Sequence, residues 1–255
     1  MKLSFREIGE GDPLIILHGL FGSLDNWISI ARKLEDKRNI FLIDQRNHGH
    51  SPHSEIFNYE AMANDLKEFT ESHNLSSIEL MGHSMGGKTA MVFATQFPQL
   101  VEKLVVVDIS PKYYPVHHET IIAGLHSIDL ASLSSRNQAD KELAKSVPNF
   151  GVRQFLLKNL KRTSDGFGWK INLDVIEKEI EEVGKALPEE GVYDGPTLFI
   201  RGENSNYILD SDRPLIEHHF PKATLVTVKK AGHWVHAEQP DVLLEQLTRF
   251  IQSNG

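Results

Sequence analysis

Short apolar runs rich in β-forming residues recur along this chain, separated by longer stretches whose apolar residues repeat with a helical period. "LIILHG" (14–19), "IFLID" (40–44), "IELMG" (78–82), "LVVVDI" (104–109), "TLFIRG" (197–202) and "TLVTVK" (224–229) predict strands. They are apolar at successive positions rather than at alternate ones, so both faces of each strand must be covered, as in a parallel sheet. "NWISIARKLE" (26–35), "YEAMANDLKEFTESH" (59–73), "KTAMVFATQF" (88–97) and "DVLLEQLTRFIQ" (241–252) supply the cover as amphipathic helices. Such alternation calls for right-handed crossovers and helices on both faces of a twisted sheet. Only "LSFREI" (3–8) precedes the first core strand, so one edge of the sheet is expected to be short.

The alternation stops between about 111 and 195. No strand-like run stands there, and "HETIIAGLHSIDL", "NQADKELAKSV", "GVRQFLLKNL" and "LDVIEKEIEEVGKAL" read as short helices separated by Pro and Gly. An insertion of about 80 residues is too long for a plain loop and reads as a helical cap. The expected organisation is therefore a core of residues 1–110 and 196–255 carrying a cap of 111–195.

Composition removes several function classes. The chain has 255 residues and no cysteine, which excludes disulfides, thiolate metal sites and a thiol nucleophile. Its formal charge is −8 with Lys and Arg scattered, which argues against nucleic acid as a partner. The first residues lack the apolar core of a signal peptide, and "PLIIL" and "LVVV" fall far short of a membrane span. The expectation is a soluble, cytoplasmic protein without a membrane partner, acting on a small molecule; nothing in the sequence specifies its oligomeric state.

Within "LMGHSMGGK" (80–88), Gly82-His83-Ser84-Met85-Gly86 matches G-x-S-x-G. A strand leads straight in and a helix straight out, which is the setting of a nucleophile elbow: glycines permit a sharp turn that lifts the Ser84 hydroxyl above the sheet. The helix that starts at Met85 brings its positive end to the same place. A neutral hydroxyl needs a base. Among 13 histidines, His233 in "KAGHWVHAEQP" (230–240) is favoured, since it follows the last strand on a glycine-containing loop. His236 stands where the chain turns into the final helix and reads as a hydrogen-bonding or packing residue. His117, His118, His218 and His219 are expected at exposed surface, and "HHET" lacks the second histidine of a zinc-binding H-E-x-x-H. No metal site is expected.

Acyl transfer also needs donors for an oxyanion. The loop "LHGLFGSLDNW" (17–27) follows the first core strand, and the backbone N–H groups of Leu20 and Met85 form the expected pair. The Leu20 and Phe21 side chains then line the site, and His18 braces the loop from beneath. His83, Phe155, Tyr207 and Trp234 are further candidates for contact with substrate. Phe150, Phe155, Leu156 and Trp169 either roof an acyl pocket or pack the cap's own core, the second being the simpler reading for most. Lys88 reads as an exposed or hydrogen-bonded helix residue; the alternative places it near the mouth, assisting an acyl-CoA phosphate.

"HGLFGSLDNW", "DQRNHGHSP" (44–52), "GHSMGGK" and "GHWVHAEQPD", in this order and spacing, resemble the α/β-hydrolase superfamily. Within it they are similar to YbfF-type bacterial esterases and the related mitochondrial α/β-hydrolase-domain proteins, the motifs extending from about 14 to 241 with little match in the cap. The resemblance implies an α/β-hydrolase fold, hydrolysis of esters or thioesters through a Ser–His–acid triad, and no cofactor. "RNHG" departs from the "RGHG" common in the superfamily, a departure shared with the YbfF group. Asp44, Arg46, His48 and Ser51 then read as a hydrogen-bonded loop away from the chemistry.

The acid is the open point. Most relatives carry G-x-x-D after the penultimate strand, whereas this chain reads Gly202-Glu203-Asn204-Ser205. Glu203 or Asp210 could substitute, or the pair Ser84–His233 could work without an acid. The third possibility is Asp108, which closes "LVVVD" 24 residues after Ser84 and belongs at the carboxyl edge of the sheet. Some α/β-hydrolases carry their acid there, and Asp108 is the favoured candidate. Ser205 or Tyr207 would then hydrogen-bond the histidine loop or line the acyl site. The expected activity is a serine hydrolase cleaving carboxylic esters of short to medium acyl chains. An acyl-CoA thioesterase and a non-catalytic binding protein are the alternatives.

Overall fold

The structure is a computed structural model and describes residues 1–164 and 166–253. The expected core segment 196–255 thus ends on two residues outside the described ones, and position 165 of the expected cap is outside them as well. The chain runs β1 (Phe5–Ile8), β2 (Asp12–Leu17), α1 (Ile28–Arg32), β3 (Arg38–Ile43), α2 (Tyr59–Ser72), β4 (Ile78–His83), α3 (Met85–Gln96) and β5 (Val101–Val107). It continues through α4 (Glu119–His126), α5 (Arg136–Leu143), α6 (Phe150–Leu157), β6 (Leu160–Thr163), β7 (Gly166–Trp169), α7 (Leu173–Lys178) and α8 (Ile180–Gly184). It closes with β8 (Thr197–Gly202), α9 (Arg213–His219), β9 (Ala223–Val228), α10 (Val235–Glu238) and α11 (Pro240–Gln252).

Seven strands form one sheet in the order β1-β3-β2-β4-β5-β8-β9. All pairs are parallel except β1 with β3, so the short first strand is the antiparallel edge. The continuous apolar runs are explained by burial on both faces. In β2, Ile15 and Leu17 join the apolar cluster under α2 and α3, while Leu14 and Ile16 join the one under α1 and α11. Each of the four side chains is at most 1% exposed. Truncating any of them to Ala would cost about 2–5 kcal/mol.

Two elements differ from the sequence reading. The helix expected over 26–35 shrinks to a 3₁₀ turn, Leu24–Asn26, and the five residues of α1. The break falls at Trp27, whose fully buried ring stacks on His236 at 4.4 Å between centroids. The insertion between β5 and β8 also contains an antiparallel hairpin, β6 with β7, pairing Leu160 with Trp169 and Thr163 with Gly166. "LKRT" presents three exposed polar residues and "GFGW" two glycines, so neither shows a strand pattern. Pairing and the packing of Leu160 and Trp169 on the apolar cluster hold them in place. Among the described residues the insertion gives no strand to the seven-stranded sheet. Its apolar residues, Leu125, Leu143 and Leu156 among them, continue the cluster on the α2–α3 face. Among the described residues no helix is long and apolar enough to cross a membrane.

Candidate active site

The carboxyl ends of β2, β4, β5, β8 and β9 converge on one cavity, and each delivers a different group. Ser84 stands between β4 and α3 with φ 54° and ψ −120°, a backbone region that non-glycine residues seldom enter. Close backbone approach makes the strained turn possible. A Cβ on Gly82 would lie 2.1 Å from the Gly86 carbonyl oxygen, and one on Gly86 would lie 2.5 Å from the oxygens of Leu17 and His18. Any side chain at either position would push the serine off the sheet edge.

His233 reaches back from the loop after β9. Its Nε2 is 3.0 Å from Ser84 Oγ, and its Nδ1 is 2.7 Å from Asp108 Oδ2. Because the carboxylate accepts, Nδ1 carries the hydrogen, and Nε2 is left free to accept from the serine hydroxyl. The side chain of Asp108 is fully buried at the end of β5, on a backbone with φ 51°. Aspartate is among the few residues that tolerate this region. Its Oδ1 accepts the Gly202 N–H at 3.0 Å, and its Oδ2 also accepts the hydroxyl of Ser205. The serine in the usual aspartate register therefore donates to a carboxylate supplied from the neighbouring strand end. Glu203 instead accepts the Lys230 N–H at 3.0 Å, and the exposed Asp210 pairs with Arg201 at 2.8 Å. Neither touches His233.

Three aromatic or imidazole groups fix His233 in place. Tyr207 stacks on its ring at 3.9 Å with an 18° tilt, and burial pushes the Tyr207 phenol up to about 12, so it remains protonated. His117 faces the Pro115 carbonyl through Nδ1 at 3.0 Å, so its Nε2 accepts the Tyr207 hydroxyl at 2.7 Å. His83 donates from Nε2 to the His233 carbonyl at 2.8 Å; burial depresses its pKa well below the ordinary value and keeps it neutral.

The oxyanion loop is held from two sides. Among the described residues the N–H groups of Leu20 and Met85 have no acceptor, and both residues border Ser84. Phe21, at φ 58°, gives its N–H to His48 Nε2 at 3.2 Å, while its carbonyl accepts from the Asn159 amide of the insertion at 2.7 Å. Asp44 accepts the Leu24 N–H at 2.8 Å, and His18 Nε2 accepts the Gln45 N–H at 3.0 Å. Burial lowers His18 to about 4 and His48 to about 3, so both are neutral acceptors for those amides. The "DQRNHGHS" loop is hydrogen-bonded as expected, but it is not remote from the chemistry: it carries the loop that bears Leu20. Asn47 takes φ 64° where the superfamily has glycine, and its side chain and carbonyl bind Asn172 of the insertion.

The remaining expectations divide. Leu20, Phe21, His83, Phe155, Tyr207 and Trp234 all line the cavity of about 230 Å³ beside Ser84, as do His117 and His118. Leu156 lines it too, but Phe150 is 64% exposed and Trp169 packs in the apolar cluster. His118 is half-buried and lowered to about 4 by burial, and His219 is buried against the Gly191 carbonyl, so neither is plain surface. His236 packs on Trp27 as anticipated. Lys88 is neither exposed nor near the mouth. It is fully buried, donates to the carbonyls of Lys112 and Lys185 at the two necks of the insertion, and is lowered to about 7 by burial. It has no access to a CoA phosphate. Among the described residues no group of three or more His, Asp or Glu side chains is arranged to hold a metal ion.

The arrangement is a nucleophile, a base held in one tautomer, a buried carboxylate and two unpaired amides around one cavity, which suits acyl transfer. Residues 12–150 match a family model described as the alpha/beta hydrolase fold. The chain is 40% identical over 253 residues to a Danio rerio protein named "sn-1-specific diacylglycerol lipase ABHD11", covering 96% of this chain and 80% of that one. It is 37% identical to "Esterase YbfF" of Escherichia coli over 98% of its length and 99% of the relative's. A solved structure titled "Marine microorganism esterase" superimposes with a TM-score of 0.96 at 48% identity, covering 98% and 99% of the two chains.

Proposed function

The chain belongs to the α/β-hydrolase family and is a hydrolase of the esterase or lipase type, and from that premise we propose that it cleaves carboxylic esters of short to medium acyl chains through an acyl-enzyme on Ser84. The observation that carries the reading is the unbroken relay Ser84 Oγ–His233 Nε2, 3.0 Å, and His233 Nδ1–Asp108 Oδ2, 2.7 Å. Ser84 attacks the ester carbonyl as His233 takes its proton, and the developing oxyanion meets the amides of Leu20 and Met85. The C–O bond to the alcohol then breaks, with His233 returning the proton to the leaving oxygen. Water attacks the acyl-serine, gives its proton to His233, and the acid departs as Ser84 is restored. Asp108 keeps the imidazole in one tautomer through its hydrogen bond and stabilises the imidazolium that forms twice per cycle.

In this scheme residues 111–195 act as a cap that closes the site over a core of 1–110 and 196–255. A thioester enters the same steps with sulfur as leaving atom, and matched oxygen ester and thioester substrates decide between the two. A non-catalytic role drew support only from the missing aspartate at position 205. That support weakens with Ser205 donating to Asp108. The test is p-nitrophenyl butyrate turnover by wild type and Ser84→Ala. Wild type should turn over and the variant fall to the background rate; equal rates in the two would overturn the reading.

A further inference from the structure

Ser84 borders two cavities, not one, and they differ in size and in the catalytic groups that face them. The larger, about 230 Å³, is lined by His233, Trp234, Val152 and Phe155, and it shares the last three walls with an open groove of about 750 Å³. The smaller, about 30 Å³, lies under the insertion's necks and is lined by Met85, Ile109, Tyr114, Ile180 and Val183. Leu20, Ser84 and Tyr207 belong to both, so the serine stands on the partition. His233 lines the larger cavity and not the smaller.

We propose that the two cavities divide the ester at its carbonyl carbon, the small one receiving a short acyl chain and the large one the alcohol moiety. The inference rests on the serine-esterase reading and adds the substrate class to it. The leaving oxygen must sit within hydrogen-bond reach of His233 Nε2, because that nitrogen protonates it as the C–O bond breaks. Only the larger cavity offers that neighbour. The acyl substituent departs from the carbonyl carbon in the other direction, past Met85, whose amide holds the oxyanion. A cavity of about 30 Å³, where a single water needs about 10–15 Å³, has room for on the order of two or three heavy atoms beyond the carbonyl carbon, which limits the acyl group to on the order of four carbons or fewer. The alcohol is less confined, since its cavity of about 230 Å³ is several times larger and borders the open groove. The substrates are thus short-chain esters of bulky, largely apolar alcohols. Ile180 and Val183, both half-buried on the five-residue α8, set the acyl limit.

The test is a kcat/KM series on p-nitrophenyl acetate, butyrate and octanoate, and on ethyl against 1-naphthyl acetate. Wild type should favour acetate over octanoate by at least about tenfold, since single methylenes in a closed apolar pocket are worth that much. Ile180→Ala with Val183→Ala should bring the two chain lengths close to parity while leaving the ethyl-to-naphthyl ratio in place. Val183→Leu, which fills the small cavity without removing contacts, should lower butyrate against acetate. Phe155→Ala should move the alcohol ratio and not the acyl ratio. A wild type that prefers octanoate, or an acyl preference moved by Phe155→Ala and not by the changes on α8, overturns the assignment while esterase activity stands. If no ester is cleaved above the Ser84→Ala rate, the esterase reading fails and this inference with it.

Discussion

The edge of the sheet and the insertion above it form two walls of one cavity, but they are built to different tolerances. All six residues of β4 are buried, and so are six of the seven in β5. Of the five residues in α8, only Gly184 is buried. Interiors packed like those strands relax little when disturbed, so Ser84 and Asp108 stand at the ends of backbone that cannot shift cheaply, and His233 is held against them by Asp108, Tyr207 and His83. The insertion touches the site through side chains on short helices, where a substitution reshapes a wall and leaves the fold standing. On the proposed reading, chemistry belongs to the first region and selection among substrates to the second.

The sharpest way to break that division is to remove the charge at the end of β5. Asp108→Asn keeps the size of the side chain and the tolerance for φ 51°, so it isolates the carboxylate. Turnover of p-nitrophenyl butyrate should fall by about 10²–10⁴ in kcat with folding intact. The expected companion is a swap: Ser205→Asp in the Asp108→Asn background returns a carboxylate to the register most relatives use. It should recover about tenfold or more of the lost rate, since Ser205 already reaches the same position. Asp108→Asn keeping pace with wild type would detach the acid from the mechanism.

The burial that stiffens the sheet edge also makes it acid-sensitive. His18 and His48 are lowered to about 4 and about 3 by burial, whereas in the unfolded chain they titrate near ~6.5. Between those values the unfolded chain binds protons that the folded chain refuses, so stability falls as pH drops below ~6.5 and is unaffected by these groups above it. Each unit of depression corresponds to about 1.4 kcal/mol, so the two histidines together remove several kcal/mol by pH ~4. Urea midpoints by far-UV circular dichroism at descending pH should fall through this window. His48→Gln, which retains an acceptor for the Phe21 amide, should flatten the decline. An unchanged pH dependence in that variant would show that His48 is not held neutral in the fold.

What the sequence disclosed follows the range of the contacts involved. The elbow is local, five residues from Gly82 to Gly86 between a strand and a helix, and "LMGHSMGGK" displays it in full. Asp108 is legible because a charge that ends four apolar residues has nowhere to go but the sheet edge. That Ser205 is its partner is not legible, since the two residues are 97 apart and serine has no preference for either role. The same holds for Lys88. A lysine on a helix reads as exposed or hydrogen-bonded, and which of the two holds is settled only by the carbonyls of Lys112 and Lys185, 24 and 97 residues away. The hairpin of β6 and β7 escaped because four residues with three exposed polar side chains, and four with two glycines, show no strand pattern and depend on pairing with each other. The bracing of the oxyanion loop by His48 and Asn159, over separations of 27 and 138 residues, leaves no trace in local pattern.

That last contact is where the division between rigid edge and adaptable insertion is least clean, and it supports the smallest prediction. Asn159 belongs to the insertion and is 2% exposed, yet its amide holds the carbonyl of Phe21, one residue past the Leu20 N–H. Asn172 is a second asparagine of the insertion tied to the core, but its partner is Asn47, whose own hydrogen bonds go to Pro52 and Ser54 and not to the loop bearing Leu20. If only Asn159 orients the oxyanion donor, Asn159→Ala should lower kcat by about tenfold with KM little changed, less than the ~10²–10³ lost when a donor itself is removed. Asn172→Ala should leave kcat within about twofold of wild type, because it loosens the insertion without touching the donor. A purely structural tie would make the two variants behave alike, with matched losses in thermal stability and in both kinetic constants. A kcat loss confined to Asn159→Ala would instead show that one residue of the insertion acts on the chemistry through the backbone of the sheet's own loop.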